Sequence, residues 1–369
     1  MFMKIERIEV IVASVPVQNA HPASQEWYER HSKQLLVKVH AEGLCGVGEG
    51  FAYGAPMACV EVIDIALAPT LLGKNAADIS ARAEDMARAT RICGRNGIAA
   101  FATAAIEIAL WDLAGKAQSL AVSTLLGGCR RTSLPTYISL PRFSNADAAA
   151  EESRRLVSQG YTGLKLHQLD LESVAATRAA VGRDVQVMLD TNCAWPEEQA
   201  KRMAAQFEPM ELAWLEEPVW PPEDYYALAQ VRASTRQLIS LGENEYTLSG
   251  FRHCIERGAV DILQPSVAKL GLLLMRQVGD MAARAGVRMV PHSFYFGPAL
   301  AATAHYLATL EADALMEFPL GDVSVLQEPL QTRSGRLQVP TGPGLGVELN
   351  EDMLRRHRLA YREFALTQT

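Results

Sequence analysis

Cysteine is scarce in this chain: six of 369 residues (Cys45, Cys59, Cys93, Cys129, Cys193 and Cys254), none in a CxxC pair. That scatter argues against a disulfide framework and fits reduced, buried thiols in a cytoplasmic enzyme. Blocks of lysine or arginine are missing and the formal net charge is −7, so neither nucleic acid nor an anionic membrane surface is expected as a partner. No apolar run approaches the ~18 residues that a membrane span needs. The N-terminal stretch MFMKIERIEVIVASV is broken by Lys4 and Glu6 and then alternates, so it reads as a strand and not as a signal peptide. What is present is ordinary globular material, 49% hydrophobic and 21% charged, with enough apolar residues for a large core and enough length for about two domains.

Residues 3–14, 34–41 and 45–51 alternate apolar with polar, and Glu42-Gly43 separates the last two, which predicts a β-meander containing a hairpin. Helical periodicity follows over about 57–72, 78–92 and 98–117. Residues 1–130 are therefore expected to form an α+β capping domain. From Thr136 the order becomes strand, helix, strand, helix. The strands read from the sequence are YISLP (137–141), GLKLH (163–167), VQVMLD (185–190), AWLEEP (213–218), LISLGEN (238–244), VDILQPS (260–266), VRMVPHS (287–293) and ALMEFP (314–319). Eight such strands with amphipathic helices between them predict an α/β fold, a (β/α)8-type barrel over residues 131–319. The tail, 320–369, has Gly and Pro at turn spacing and is expected to return to the capping domain.

Three acids close successive apolar runs at steps of about 26 residues: Asp190 in VMLDTN, Glu216 in AWLEEP and Glu243 in LGEN. A short Val/Leu/Ile-rich run bounded by turn signals is a buried parallel strand, so each acid sits at a strand's C-terminal end, the end where barrel active sites lie. Three crowded carboxylates repel, and a hard divalent cation with oxygen ligands, Mg2+, relieves that repulsion. In GLKLH the i, i+2 spacing points Lys165 and His167 into the same barrel mouth. Two adjacent bases are expected to depress each other's pKa and leave one able to accept a proton. Lys269 just beyond strand six and His292 at the end of strand seven face them from the other side, and Glu317, ending strand eight, would be a costly charge there without a partner. A metal with bases on two sides suits removal of a proton α to a carboxylate, where abstraction puts a second negative charge on that carboxylate.

With EIALWDLAGKA (107–117), LLGG (125–128), the acids of LDTN, WLEEP and GEN, Glu317, and GPGLGVEL (342–349), the chain resembles the enolase superfamily over essentially its whole length, specifically the mandelate racemase/muconate lactonizing enzyme family. The resemblance implies a (β/α)7β version of the barrel, Mg2+ on Asp190, Glu216 and Glu243, a hydrogen bond from Glu317 to the substrate carboxylate, specificity loops around 16–28 and 51–56, and a homo-oligomer. Two positions depart from the family pattern. His167 replaces the second lysine of a Lys-x-Lys pair, and Ser266 stands where the mandelate racemase branch has the Asp that supports its strand-seven histidine.

The function these readings point to is a hydro-lyase (dehydratase) acting on a sugar acid or related hydroxy acid. A racemase, epimerase or cycloisomerase of a carboxylate is the alternative, since His167 and Lys269 could serve opposite faces of a substrate. A non-catalytic metal and carboxylate binding protein is the third reading. Trp27 and Tyr53, on expected loops of the cap, should face the small-molecule substrate.

Overall fold

A computed structural model describes residues 2–18, 20–311, 315–323 and 325–366. In chain order its strands are β1 (Ile5–Ser14), β2 (Lys33–Ala41), β3 (Leu44–Gly50), β4 (Ser133–Ser139), β5 (Gly163–Leu166), β6 (Gln186–Asp190), β7 (Leu215–Glu216), β8 (Ile239–Leu241), β9 (Ile262–Leu263), β10 (Arg288–Met289), β11 (Met316–Pro319), β12 (Thr332–Arg333), β13 (Arg336–Gln338) and β14 (Arg358–Ala365). Two sheets use them. The first is antiparallel in the order β14-β1-β2-β3, so the C-terminal strand lies beside the N-terminal one.

Helix Ile98–Gln118 packs across this sheet. Its alanines are strong helix formers and leave a thin face, and β3 answers with glycine at alternate positions. A Cβ at Gly46, Gly48 or Gly50 would meet the backbone oxygens of Ala109, Ala105 and Phe101 at 2.1, 2.0 and 2.4 Å. The strand and helix backbones thus touch because neither side presents a side chain. This helix is long and apolar enough by composition to cross a membrane, although Glu107, Asp112 and Lys116 interrupt it, and 83% of its apolar window is buried inside the protein. Its length and composition are those of a core helix.

The second sheet is the barrel. β4 to β10 pair in parallel and in sequence, and β11 pairs with β4, Met316↔Thr136 through Pro319↔Ser139. Seven helices separate the eight strands: Ala146–Ser158, Leu171–Val181, Glu197–Phe207, Tyr225–Ser234, Leu248–Glu256, Val267–Ala285 and Pro298–Leu307. That is the (β/α)7β arrangement. Several helices start on a residue whose side chain accepts an otherwise unpaired backbone N–H: Asn145 from Ala148, Asp170 from Ser173, Asp224 from Ala227 and Thr247 from Gly250.

The paired strands are shorter than the apolar runs predict, because the chain leaves the hydrogen-bonding ladder where the mouth begins. β4 is the exception. It starts at Ser133, four residues ahead of Tyr137, because β13 pairs with Ser133–Pro135. Glu317 lies inside β11 and does not end it; Ala314, which begins the expected strand, lies outside the described residues. The barrel interior is plugged by Tyr137, Met188, Trp214, Ile262 and Val290. Polar side chains one layer further toward the C-terminal ends therefore sit on an apolar floor.

Candidate active site

Lys165, at the third position of the four-residue β5, is fully buried. Its Nζ lies 3.2 Å from Asp190 Oδ2, 3.1 Å from Glu216 Oε1 and 2.8 Å from Glu317 Oε1. Parallel register explains the grouping, since Asp190 pairs with Glu216 across β6 and β7, while β5 lies beside β6. Burial works against the Lys165 charge, but Glu216, Glu317 and Asp190 outweigh it and raise its pKa well above normal. The expectation that Lys165 and His167 depress one another is thereby reversed at Lys165: three carboxylates count for more than one imidazole. Lys165 is a fixed ammonium.

Burial also opposes ionisation of Asp190, yet Lys165 and His167 hold its pKa at about 2. Glu216 goes the other way, well above the carboxylate range, from burial and from the Asp190 charge beside it. Glu243 is kept well below that range despite burial, because His292 Nε2 at 2.9 Å and Lys269 Nζ at 3.1 Å both face its Oε2. Glu317 is lowered by Lys165 and His292 against its own burial, and its Oε2 accepts from the Ser293 N–H at 2.7 Å.

The three acids expected to meet at one point do not do so. Lys165 stands between Asp190 and Glu216, and Glu243 turns to Lys269 and His292. Among the described residues no three His, Cys, Asp or Glu side chains share a ligating geometry. The donor chemistry nevertheless suits a divalent cation. Asp190, Glu216, Glu217, Glu243 and Glu317 are five buried carboxyl groups in a mouth with two buried lysines, Lys165 and Lys269. Burial, and after it the Asp190 charge, disfavour the ionised form of Glu216, and a divalent cation would restore it.

His167 follows β5 directly. Its Nδ1 lies 2.5 Å from the Leu140 carbonyl and its Nε2 3.4 Å from Asp190 Oδ2. A carbonyl only accepts, so Nδ1 carries a hydrogen and Nε2, which faces Asp190, is the nitrogen free to exchange a proton. Lys269 lies under the cap, its Nζ 4.1 Å from the centre of the Phe51 ring. At His292 the expected supporting carboxylate is replaced by hydroxyls: Ser266 Oγ is 2.5 Å from Tyr295 Oη, which is 3.4 Å from His292 Nδ1.

The cap closes the mouth with aromatic rings. Trp27 belongs to the short helix Gln25–His31 rather than to a loop; it stacks on His31 at 4.5 Å and lies 6.4 Å from the His167 ring. Tyr53 faces the same centre, with a buried hydroxyl that has no hydrogen-bond partner among the described residues and a pKa raised well above normal by burial and by the charges of Glu243 and Glu317. Three neighbours of the site carry little signal in the sequence. Tyr295 is found only through its contact with His292. Glu217 is adjacent to Glu216 in LEEP, yet it is equally buried, and burial with Glu243 and Asp190 raises it to about 8. Arg142, immediately after the first barrel run, donates from Nε to the His167 carbonyl at 2.7 Å; its place at a strand end was the available clue.

Known proteins resemble this chain over most of its length. The chain is 28% identical to D-galactarolactone cycloisomerase of Agrobacterium fabrum over 97% of its own length and 99% of that protein. It is 32% identical to L-rhamnonate dehydratase of Saccharopolyspora erythraea, covering 87% of this chain and 85% of the relative. The crystal structure of the 3,6-anhydro-D-galactonate cycloisomerase from Zobellia galactanivorans superposes with a TM-score of 0.86 at 32% identity, over 97% of this chain and all of that one. Residues 148–353 match the enolase C-terminal domain-like family, and residues 7–127 match the N-terminal domain of mandelate racemase and muconate lactonizing enzyme. The chain belongs to the mandelate racemase/muconate lactonizing enzyme family of the enolase superfamily.

Proposed function

We propose that this protein removes the proton α to the carboxylate of a small-molecule acid and that its overall reaction is the dehydration of a sugar acid. The observation that carries the reading is the pairing of basic groups across the mouth, Lys165 and His167 on one side and Lys269 and His292 on the other, over five buried carboxylates. In this reading Asp190, Glu216 and Glu243 hold Mg2+, and when bound the cation supplies the positive charge that offsets the second negative charge of an enediolate. Lys165 and Glu317 orient the substrate carboxylate. His167 takes the α-proton on Nε2, its ring held by the Leu140 carbonyl and its approach shielded from water by Trp27. Lys269 or His292, on the opposite face, gives the proton that a departing β-hydroxyl requires.

Relatives named as dehydratases of arabinonate, xylonate and L-rhamnonate support the sugar-acid assignment. A second reading, cycloisomerisation, is favoured by the extent of the match: relatives named as cycloisomerases pair with this chain over 96–97% of its length, whereas those dehydratases pair over 86–88%. The two share the α-proton step and part afterwards. Incubation of the Mg2+-loaded enzyme with a library of sugar acids and their lactones in D2O, followed by NMR, tests both. Loss of the β-hydroxyl to give a 2-keto-3-deoxy acid that carries solvent deuterium at C3, with any α-deuterium confined to recovered substrate, is the expected result. A ring-opened or ring-closed isomer that differs in mass only by the incorporated deuterium selects cycloisomerisation, and acids that bind without exchange or product leave a non-catalytic binding protein.

A further inference from the structure

Beside the catalytic groups the structure has a cavity of about 600 Å³ between the helix Gln25–His31 of the cap and the barrel mouth. Thr191 and Asn192, which follow Asp190 directly, form one wall, and Trp27 forms the wall shared with His167. The charges on its lining are unbalanced. Arg142, Arg30 and His31 are basic, and the one acid, Glu26, is exposed and tied to Arg30. An exposed i, i+4 pair of this kind is worth little in water and yields readily to a ligand.

Arg142 is the strongest element. Its Nε is fixed on the His167 carbonyl, leaving the two terminal nitrogens of a half-buried guanidinium with no carboxylate among the described residues. A guanidinium held by Nε presents its remaining N–H groups as a fork that matches a carboxylate or a phosphate. The potential in the cavity is positive as well: besides burial, Arg30, Arg142 and His167 depress the pKa of His31, whose Nδ1 is already committed to the Trp27 carbonyl at 2.7 Å.

We propose that this cavity is a subsite for a second anionic group, a carboxylate or a phosphate, at the end of the substrate remote from the carboxylate that is activated. The assignment rests on the α-proton reading above and narrows its substrate class from sugar acids in general to those with a charged far end. Arg142 is its main ligand. The same side chain ties the subsite to His167, so occupancy of the far end and placement of the base are coupled through one residue.

Three matched series test this with the Mg2+-loaded enzyme: aldonic acids, the aldaric acids in which the terminal CH2OH is a carboxylate, and aldonic acids phosphorylated at that terminus. Exchange at the α-carbon in D2O and kcat/KM are measured for each. The expected result is a preference of roughly 10- to 100-fold for one anionic series over the aldonates, the size of one or two charge-assisted hydrogen bonds, and the preferred series identifies the anion. Arg142→Met should shrink the preference by a similar factor. Arg30→Gln, at an exposed position that cannot unfold the protein, should shrink it by less and keeps the test readable if the Arg142 variant does not fold. Aldonates that react as well as both anionic series overturn the subsite. So does a preference unmoved in Arg30→Gln, or an Arg142→Met loss equal in all three series, which would leave Arg142 only its role at the His167 carbonyl. Absence of both α-exchange and product with every acid tested overturns the α-proton reading instead.

Discussion

A histidine that is to act as a base needs its Nδ1 occupied, and the two histidines of this mouth are supported differently. His167 has a backbone carbonyl, which is fixed and can only accept. His292 has the Tyr295 hydroxyl at the long distance of 3.4 Å, itself held by Ser266. A neutral hydroxyl orients a ring less firmly than the carboxylate that Ser266 replaces and stabilises an imidazolium less. His167→Asn and Lys269→Ala are therefore expected to lose roughly 10²- to 10⁴-fold in turnover, the usual cost of removing a general acid or base, and His292→Asn to lose less. Turnover of the three variants, with α-deuterium incorporation read alongside, decides the matter. A dead His292→Asn beside a normal Lys269→Ala would reverse the assignment. The candidates themselves were legible from the sequence, because residue type and strand-end placement are local properties. Their partners were not: that Lys165 sits among three carboxylates, or that Tyr295 stands behind His292, depends on distances between strands that the order of residues does not encode.

Between elements, the informative contact is the seam where the cap meets the barrel. Glu49 on β3 accepts from the Ala299 N–H at 3.0 Å, and Glu107 on the long cap helix accepts from the Leu273 N–H at 2.9 Å and from Trp111 Nε1 at 3.1 Å. Alternation along β3 marks Glu49 as a solvent-side residue; it is 3% exposed because helix Pro298–Leu307 covers that face. A strand pattern records one buried face and is silent about a second layer laid over the other. Burial raises both carboxyls from 4.5 to about 7, against the pull of the backbone N–H groups. The sign follows from linkage. From pH 4.5 to 7 the unfolded acids ionise while the folded ones stay protonated, so the stability present below pH 4.5 is lost as pH rises and levels off above 7, at about 3 kcal/mol per site. A glutamine keeps the acceptor oxygen and cannot ionise. Glu49→Gln and Glu107→Gln should consequently lose less stability than wild type between pH 5 and pH 8, read from denaturant midpoints at the two pH values. Parallel pH slopes for variant and wild type would refute the buried-acid account.

For the molecule as a whole, the barrel was visible because the βα period repeats, and the cap because its alternating strands and long helices break that period. The course of the tail was less so: β12 and β13 extend the barrel sheet at β4 before β14 reaches β1, since a two-residue strand has no periodicity to read. What joins these parts energetically is the charge at the centre, where seven of the eight barrel strands, β5 to β11, or the loops just beyond them supply the five carboxylates, two lysines and two histidines. If Asp190, Glu216 and Glu243 hold a divalent cation, Mg2+ binds the folded chain alone, and the melting temperature must rise with its concentration, by about 2.7 kcal/mol of stability at a hundred times the dissociation constant. Replacing any of the three acids by its amide should abolish that rise. Glu216→Gln separates this from general damage. Glu216 is the acid whose charge is disfavoured by burial and by Asp190, while its oxygens accept from Lys165 Nζ at 3.1 Å and Trp214 Nε1 at 3.2 Å, bonds that an amide oxygen can still accept in part. In EDTA the variant should be at least as stable as wild type, because burial and Asp190 disfavour the Glu216 charge and a neutral amide avoids that cost, and in Mg2+ it should be the less stable of the two. A crossing of the two melting curves as Mg2+ is added is the expected signature. A Glu216→Gln protein that melts below wild type in EDTA, yet gains as much as wild type from Mg2+, would place the cation elsewhere and leave Glu216 a structural partner of Lys165.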